Sequence, residues 1–163
     1  MRRSFSGLLM ALALSGCGLS DTEIHQTQVP ITQTAEWAAK DSYLDCLFEV
    51  LDDAQLMDRT SHACTSYECR AGIADSIEQL GSELALTCQS PPPCATSVRA
   101  ALQSLITAIA DGTRGPGPSL SEFESDAVWE YLLDSEISAH EWFYDNLNNS
   151  CLRRPPLMPE GFP

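Results

Sequence analysis

Along four successive stretches of this chain the apolar residues recur every three or four positions, and no stretch alternates apolar with polar over a strand's length. A period near 3.6 puts those side chains on one face of an α-helix, whereas a half-buried strand needs a period of two. The first stretch, about Thr34 to Met57, carries Trp37, Leu44, Leu47, Phe48, Leu51 and Ala54 on one face. The second, about Ser66 to Cys88, carries Cys69, Ile73, Ile77, Leu80, Leu84 and Cys88. The third, about Pro92 to Asp111, carries Val98, Ala101, Leu102, Leu105, Ile106 and Ile109. The fourth lies between Leu120 and Asn149, with Phe123, Val128, Leu132, Leu133, Ile137, Phe143, Tyr144 and Leu147. Asp134-Ser135 interrupts it with two cap-forming residues, so it runs unbroken or splits in two. The pattern predicts an all-α fold, a small bundle of four to five helices.

Local signals punctuate the helices. Thr65-Ser66-Tyr67-Glu68 and Ser119-Leu120-Ser121-Glu122 both fit the S/T-x-x-E capping box, which predicts caps at Thr65 and Ser119. Pro91 to Pro93 suit the start of the third helix, where an absent N–H costs nothing, and Gly112 predicts its stop. Residues 112–118, GTRGPGP, read as a loop, and residues 152–163, with four prolines, as an extended tail.

The N-terminus reads as an address. Arg2 and Arg3 precede an apolar run, Gly7 to Leu14, far shorter than the roughly 20 residues that cross a bilayer as a helix. That arrangement is a secretory signal. Leu14-Ser15-Gly16-Cys17 resembles the lipobox of bacterial lipoproteins. The resemblance implies a signal peptide over 1–16, cleavage before Cys17, and diacylglyceryl on its thiol. Two or more acyl chains there imply stable membrane anchoring. Gly18 stands where an aspartate would commonly signal inner-membrane retention, which implies the outer membrane of the cell envelope. Residues 17–33 then read as the lipidated cysteine and a polar tether, residues 34–151 as the folded domain.

Seven cysteines are an odd count for an exported chain, and taking Cys17 away leaves six that can pair completely. Six allow fifteen connectivities. Local reasoning favours Cys64–Cys69, which bracket the predicted cap at Thr65 as a hydrophobic staple does. Cys88–Cys94 flank the turn between the second and third helices, and Cys46–Cys151 remain. Cys46 with Cys69 is a competing choice. His62-x-Cys64 followed by Cys69 has a faint zinc-like look, but export favours disulfides over thiolate ligands, and no metal or cofactor is expected.

Charge narrows the partners. Nine Lys and Arg stand against 23 Asp and Glu, a formal net charge of -14 that becomes -16 without Arg2 and Arg3. This excludes a general nucleic-acid binder, which needs clustered basic residues, and favours a cationic protein partner. Chemistry is harder to find. The G-x-S-x-G, H-E-x-x-H, C-x-x-C-H and P-loop patterns are absent. Of three histidines, His25 falls in the tether and His62 in the loop before the second helix, while His140 lies in the fourth helix with Glu136 four residues earlier, a pair for which no third member is identified in the sequence. No catalytic residue is assigned and no enzyme is expected. Trp129, Tyr131, Trp142, Phe143 and Tyr144 crowd the last helix in too many directions to be buried together, which nominates Trp129 and Trp142 as a partner surface. The sequence therefore reads as an envelope lipoprotein with a non-enzymatic protein-binding domain. Two alternatives stand beside it, an inhibitor or immunity-type lipoprotein against a basic toxin or hydrolase, and an envelope hydrolase with dispersed carboxylates.

Overall fold

The computed structural model describes residues 31–153, with side chains from residue 35 onward. Cys17 and the signal peptide lie outside the described residues, as do most of the tether and the tail beyond Arg153. Four α-helices account for the four periodic stretches, α1 (Ile31–Ser61), α2 (Tyr67–Thr87), α3 (Thr96–Arg114) and α4 (Glu122–Asn148), with a 3-10 turn at Pro93–Ala95 leading into α3. The protein is an all-α bundle, and there is no strand among the described residues. Nor is any described helix long and apolar enough to cross a membrane.

The core is centred on α3. Its residues Ala101, Leu102, Leu105, Ile106, Ile109 and Ala110 are all buried, a stripe too wide for one partner. It is wide because α1, α2 and α4 all pack on α3. At roughly 1.5–3 kcal/mol for each large apolar side chain removed from water, this helix supplies much of the driving force. α2 comes closest. Its inward positions include Ala74 and Gly81, and a Cβ on Gly81 would stand 3.0 Å from Cγ2 of the fully buried Ile106. α4 approaches no helix backbone except that of α3, and meets α1 through side chains, as in the edge-to-face pair Phe48–Phe143 with ring centroids 6.2 Å apart.

Helix ends depart from the expected positions. α2 is capped by Ser66, one residue later than expected, and the Ser66 side chain accepts from the backbone N–H of Cys69. α4 is capped by Ser121, two residues later, in a full capping box with Glu124. α3 does not stop at Gly112. It runs on to Arg114, because its last turn has partners: Thr113 is buried, and Arg114 reaches Asp75 at 2.8 Å and Glu78 at 3.0 Å on α2. Those carboxylates hold the Arg114 guanidinium charged far above its ordinary range. Gly115 takes the terminal position with φ of 64°, a left-handed value that a side chain disfavours. Asp134-Ser135 does not split α4. Leu132, Ser135, Glu136, Ala139 and Phe143 stay in helical phase and are at least half-buried through that point, so packing overrides local cap preference.

Two of the expected disulfides are not formed. Cys64 pairs with Cys69, but Cys46 pairs with Cys88 and Cys94 with Cys151, with Cα atoms 5.6, 5.8 and 5.9 Å apart. Cys88–Cys94 and Cys46–Cys151 are therefore corrected. The reason is topological. α1 and α2 are antiparallel neighbours, so the middle of α1 comes level with the end of α2, where Cys88 is buried. The proline turn then carries Cys94 round to the start of α3, level with the end of α4 and Cys151. Each long bridge closes two helices side by side, and none closes the turn itself.

Candidate functional site

α4 is only partly used by the core. Ala139, Phe143 and Leu147 are its buried residues, all in its second half. Exposed large apolar side chains gather on the same helix: Phe123, Trp129, Tyr131, Leu133, Ile137, Trp142 and Tyr144, against Leu56 on α1, Leu86 on α2 and Leu120 in the loop before α4. Trp129, Leu133 and Ile137 follow at i, i+4 and i+8, so they form one ridge along the flank of α4. Trp142 is also exposed, but it lies on the opposite flank, over a shallow depression shared with Thr107, Ala108 and Asp111 of α3. The structure therefore does not bring Trp129 and Trp142 together on one face.

Beneath the ridge, α4 and α1 diverge. An open groove of about 290 Å³ lies between the end of α1, the end of α3 and the first half of α4. Trp129, Leu132 and Leu133 form its apolar wall, and Asp58 and Glu136 its acidic side. The Trp129 ring rests on the terminus of α3, where a Cβ on Gly115 would come within 2.7 Å of its Cη2 atom. The glycine thus lets the indole close against the backbone while leaving 43 % of the residue exposed.

The polar groups come from three helices. The Thr113 hydroxyl of α3 donates to Oδ1 of Asp58 at 2.7 Å, which fixes one carboxylate oxygen. Glu136 lies opposite, with its side chain 36 % exposed and Oε1 at 3.8 Å from Nε2 of His140. Burial first, and the charge of Asp58 second, raise the Glu136 pKa, while His140 pulls it down. His140 in turn stacks on Tyr144. His62 stands at 4.0 Å from Asp58 with its side chain 75 % exposed. Arg70, from α2, also lines the groove; its Nε is buried without a hydrogen-bond partner, and it forms no ion pair among the described residues.

Glu136–His140 is thus a real helical neighbour pair, and its third member is Asp58, which the sequence reading missed. The missed signal was an acid on an apolar stripe. Asp58 continues the row Leu47, Leu51, Ala54, and Glu136 continues Leu132 toward Ala139 and Phe143. Such positions normally hold apolar residues. Two neighbouring carboxylates disfavour each other's charge, and this pair acts through its field alone, with no hydrogen bond between the two. Here both remain about a third exposed in an open groove, so water screens them, and the one hydroxyl in hydrogen-bond contact with Asp58, that of Thr113, belongs to a buried residue. The faint zinc-like pattern is explained otherwise, because Cys64 and Cys69 are joined to each other. Among the described residues no group of three or more His, Cys, Asp or Glu is placed to hold a metal ion.

Comparison with protein-family models, with curated proteins and with solved structures finds no match to this chain.

Proposed function

We propose that this chain is a lipid-anchored protein of the bacterial envelope, held at the outer membrane through Cys17, whose helical domain binds another protein without catalysing a reaction. The ridge Trp129, Leu133, Ile137 is the observation that carries the binding reading. A monomeric domain buries such a row where it can, and scattered single apolar residues need no explanation, but a contiguous row on one helix does. Tryptophan at its head is the residue type most enriched where partners are held tightly. The anchor rests on the arginine, apolar and Cys17 series at the N-terminus. It is supported by the six remaining cysteines, which the fold accommodates as three disulfides, the state an exported protein adopts.

The test is photo-crosslinking in living cells, with a photoreactive residue at Leu133 or at Leu86, an exposed apolar site on α2. The reading requires one discrete crosslinked protein from Leu133 and none from Leu86. Intact mass of the same purified protein should show a mature chain beginning at Cys17 with acyl chains attached. Equal labelling from both positions, or a mature N-terminus elsewhere, would overturn the corresponding half of the proposal.

A further inference from the structure

The partner's chemistry is written on the surface that faces it. α4 contains Glu122, Glu124, Asp126, Glu130, Asp134, Glu136, Glu141 and Asp145, and neither lysine nor arginine. The apolar ridge is therefore bordered by carboxylates along its whole length. A second copy of this chain, laid on that ridge, would bring two such acidic helices together, and like charges in contact cost several kcal/mol. An anionic bilayer would be repelled in the same way. A basic protein surface meets the ridge with its charges satisfied.

Resting on the binding reading above, we propose that the groove between α1 and α4 receives a cationic side chain, arginine or lysine, from an amphipathic segment of that basic partner. The segment's apolar residues lie along Trp129, Leu133 and Ile137. Its cation stands between Asp58 and Glu136 with the Trp129 ring beside it.

Three features of the groove favour this occupant. First, Asp58 and Glu136 come from different helices and line the same groove, and among the described residues each has only a histidine within ion-pair distance, His62 for Asp58 and His140 for Glu136. A guanidinium placed there has an acceptor on each side, and forked hydrogen bonding suits arginine above lysine. Second, an exposed indole at the mouth adds a cation–π contact. This chain already makes one elsewhere, with the Lys40 ammonium 4.4 Å from the centre of the Trp37 ring. Third, Arg70 lines the same groove and makes no ion pair among the described residues, so its guanidinium has donors left for a backbone carbonyl of the same segment. A free metal or ammonium ion would leave Arg70 unused, whereas a peptide engages both the carboxylates and Arg70.

The probe is a short synthetic amphipathic peptide of leucine, alanine and arginine, with a twin in which citrulline, uncharged and nearly isosteric, replaces each arginine. Binding to the full chain in detergent is followed by tryptophan fluorescence and titration calorimetry. The arginine peptide should bind saturably at one site, with the twin at least tenfold weaker. Glu136→Gln and Asp58→Asn should each weaken it about tenfold, the effect of about 1.4 kcal/mol on a dissociation constant. Trp129→Phe should abolish the fluorescence change. Trp142→Phe, on the other flank, should bind as wild type does. Unchanged affinity in Glu136→Gln and Asp58→Asn, or an equal loss in Trp142→Phe, would overturn the groove as the site. Preferential binding of the chain to anionic vesicles over the peptide would overturn the peptide as the occupant. A discrete crosslink from Leu133 would survive either failure, which separates this proposal from the one it rests on.

Discussion

α3 and α4 pack side by side and use their sequences in opposite ways. α3 buries nine of its 19 residues, α4 three of its 27. The difference is not one of apolar content, since α4 carries eleven of the larger apolar and aromatic side chains, from Phe123 to Leu147. It is one of neighbours. α3 is surrounded by α1, α2 and α4, and every direction it points apolar groups finds a wall. Among the described helices α4 has a single backbone neighbour, and its first half passes over the end of α3. A helix with one neighbour has one stripe to fill, and what it carries beyond that stripe is available to something else.

Covalent ties follow the same division, and cutting them is the strongest way to test it. Cys94–Cys151 fastens the start of α3 to the exit of α4, across 57 residues. Replacing both cysteines with alanine should cost about 4 kcal/mol on the loop-closure argument. Hydrogen exchange should show the loss first in α4, with α1 to α3 protected longer. If all four helices lose protection together, α4 belongs to the same cooperative unit as α3 and the contrast fails.

A smaller effect separates the two helices directly. Leu102→Ala in α3 should cost about 3 kcal/mol in urea unfolding, the usual range for a fully buried leucine. Leu133→Ala, at a residue 60 % exposed on α4, should stay within about 0.5 kcal/mol of wild type. Comparable losses at both sites would mean that the ridge is structural.

The smallest effect concerns the groove. Glu136 has its pKa raised above the ordinary 4.5, so the folded protein holds that proton more firmly than the unfolded chain does. The stability this contributes is fully present below the unfolded value and is lost as pH rises through the folded one. Glu136→Gln should therefore match wild type at pH below 4.5 and exceed it toward neutrality, by less than about 0.5 kcal/mol given the solvent contact of the carboxylate. A variant less stable than wild type at neutral pH would show that the His140 contact outweighs burial.

How much of this was legible in the sequence depends on the range of the interaction. Helix number was, and so was the face of α3, because Leu102, Leu105 and Ile109 repeat a period that only one structure satisfies; on α4, Phe123, Leu133, Ile137 and Tyr144 of the expected apolar row are exposed instead. Caps were read one or two residues early, because Thr65 and Ser66, or Ser119 and Ser121, offer the same hydroxyl, and the choice between them is made by how the following helix packs. Cys64–Cys69 is a five-residue contact and local geometry suffices for it. Cys88 was misassigned to Cys94 because nearness along the chain says nothing about which way a capped helix end points. Asp58 and Glu136 were illegible as a pair, being 78 residues apart and joined only by the divergence of α1 and α4.

The length and direction of α1 have a consequence for how the domain is displayed. At about 1.5 Å of rise per residue, Asp58 stands about 40 Å along the helix from Ile31. The pole at which α1 begins also holds Cys94 and Cys151, which with Glu36 and Lys40 line a common depression. The described segment therefore begins and ends at one pole, and the groove opens at the other. Were Cys17 lipidated as proposed, the membrane would lie on the side of the first pole, and α1 would act as a mast that sets the Trp129 ridge apart from it.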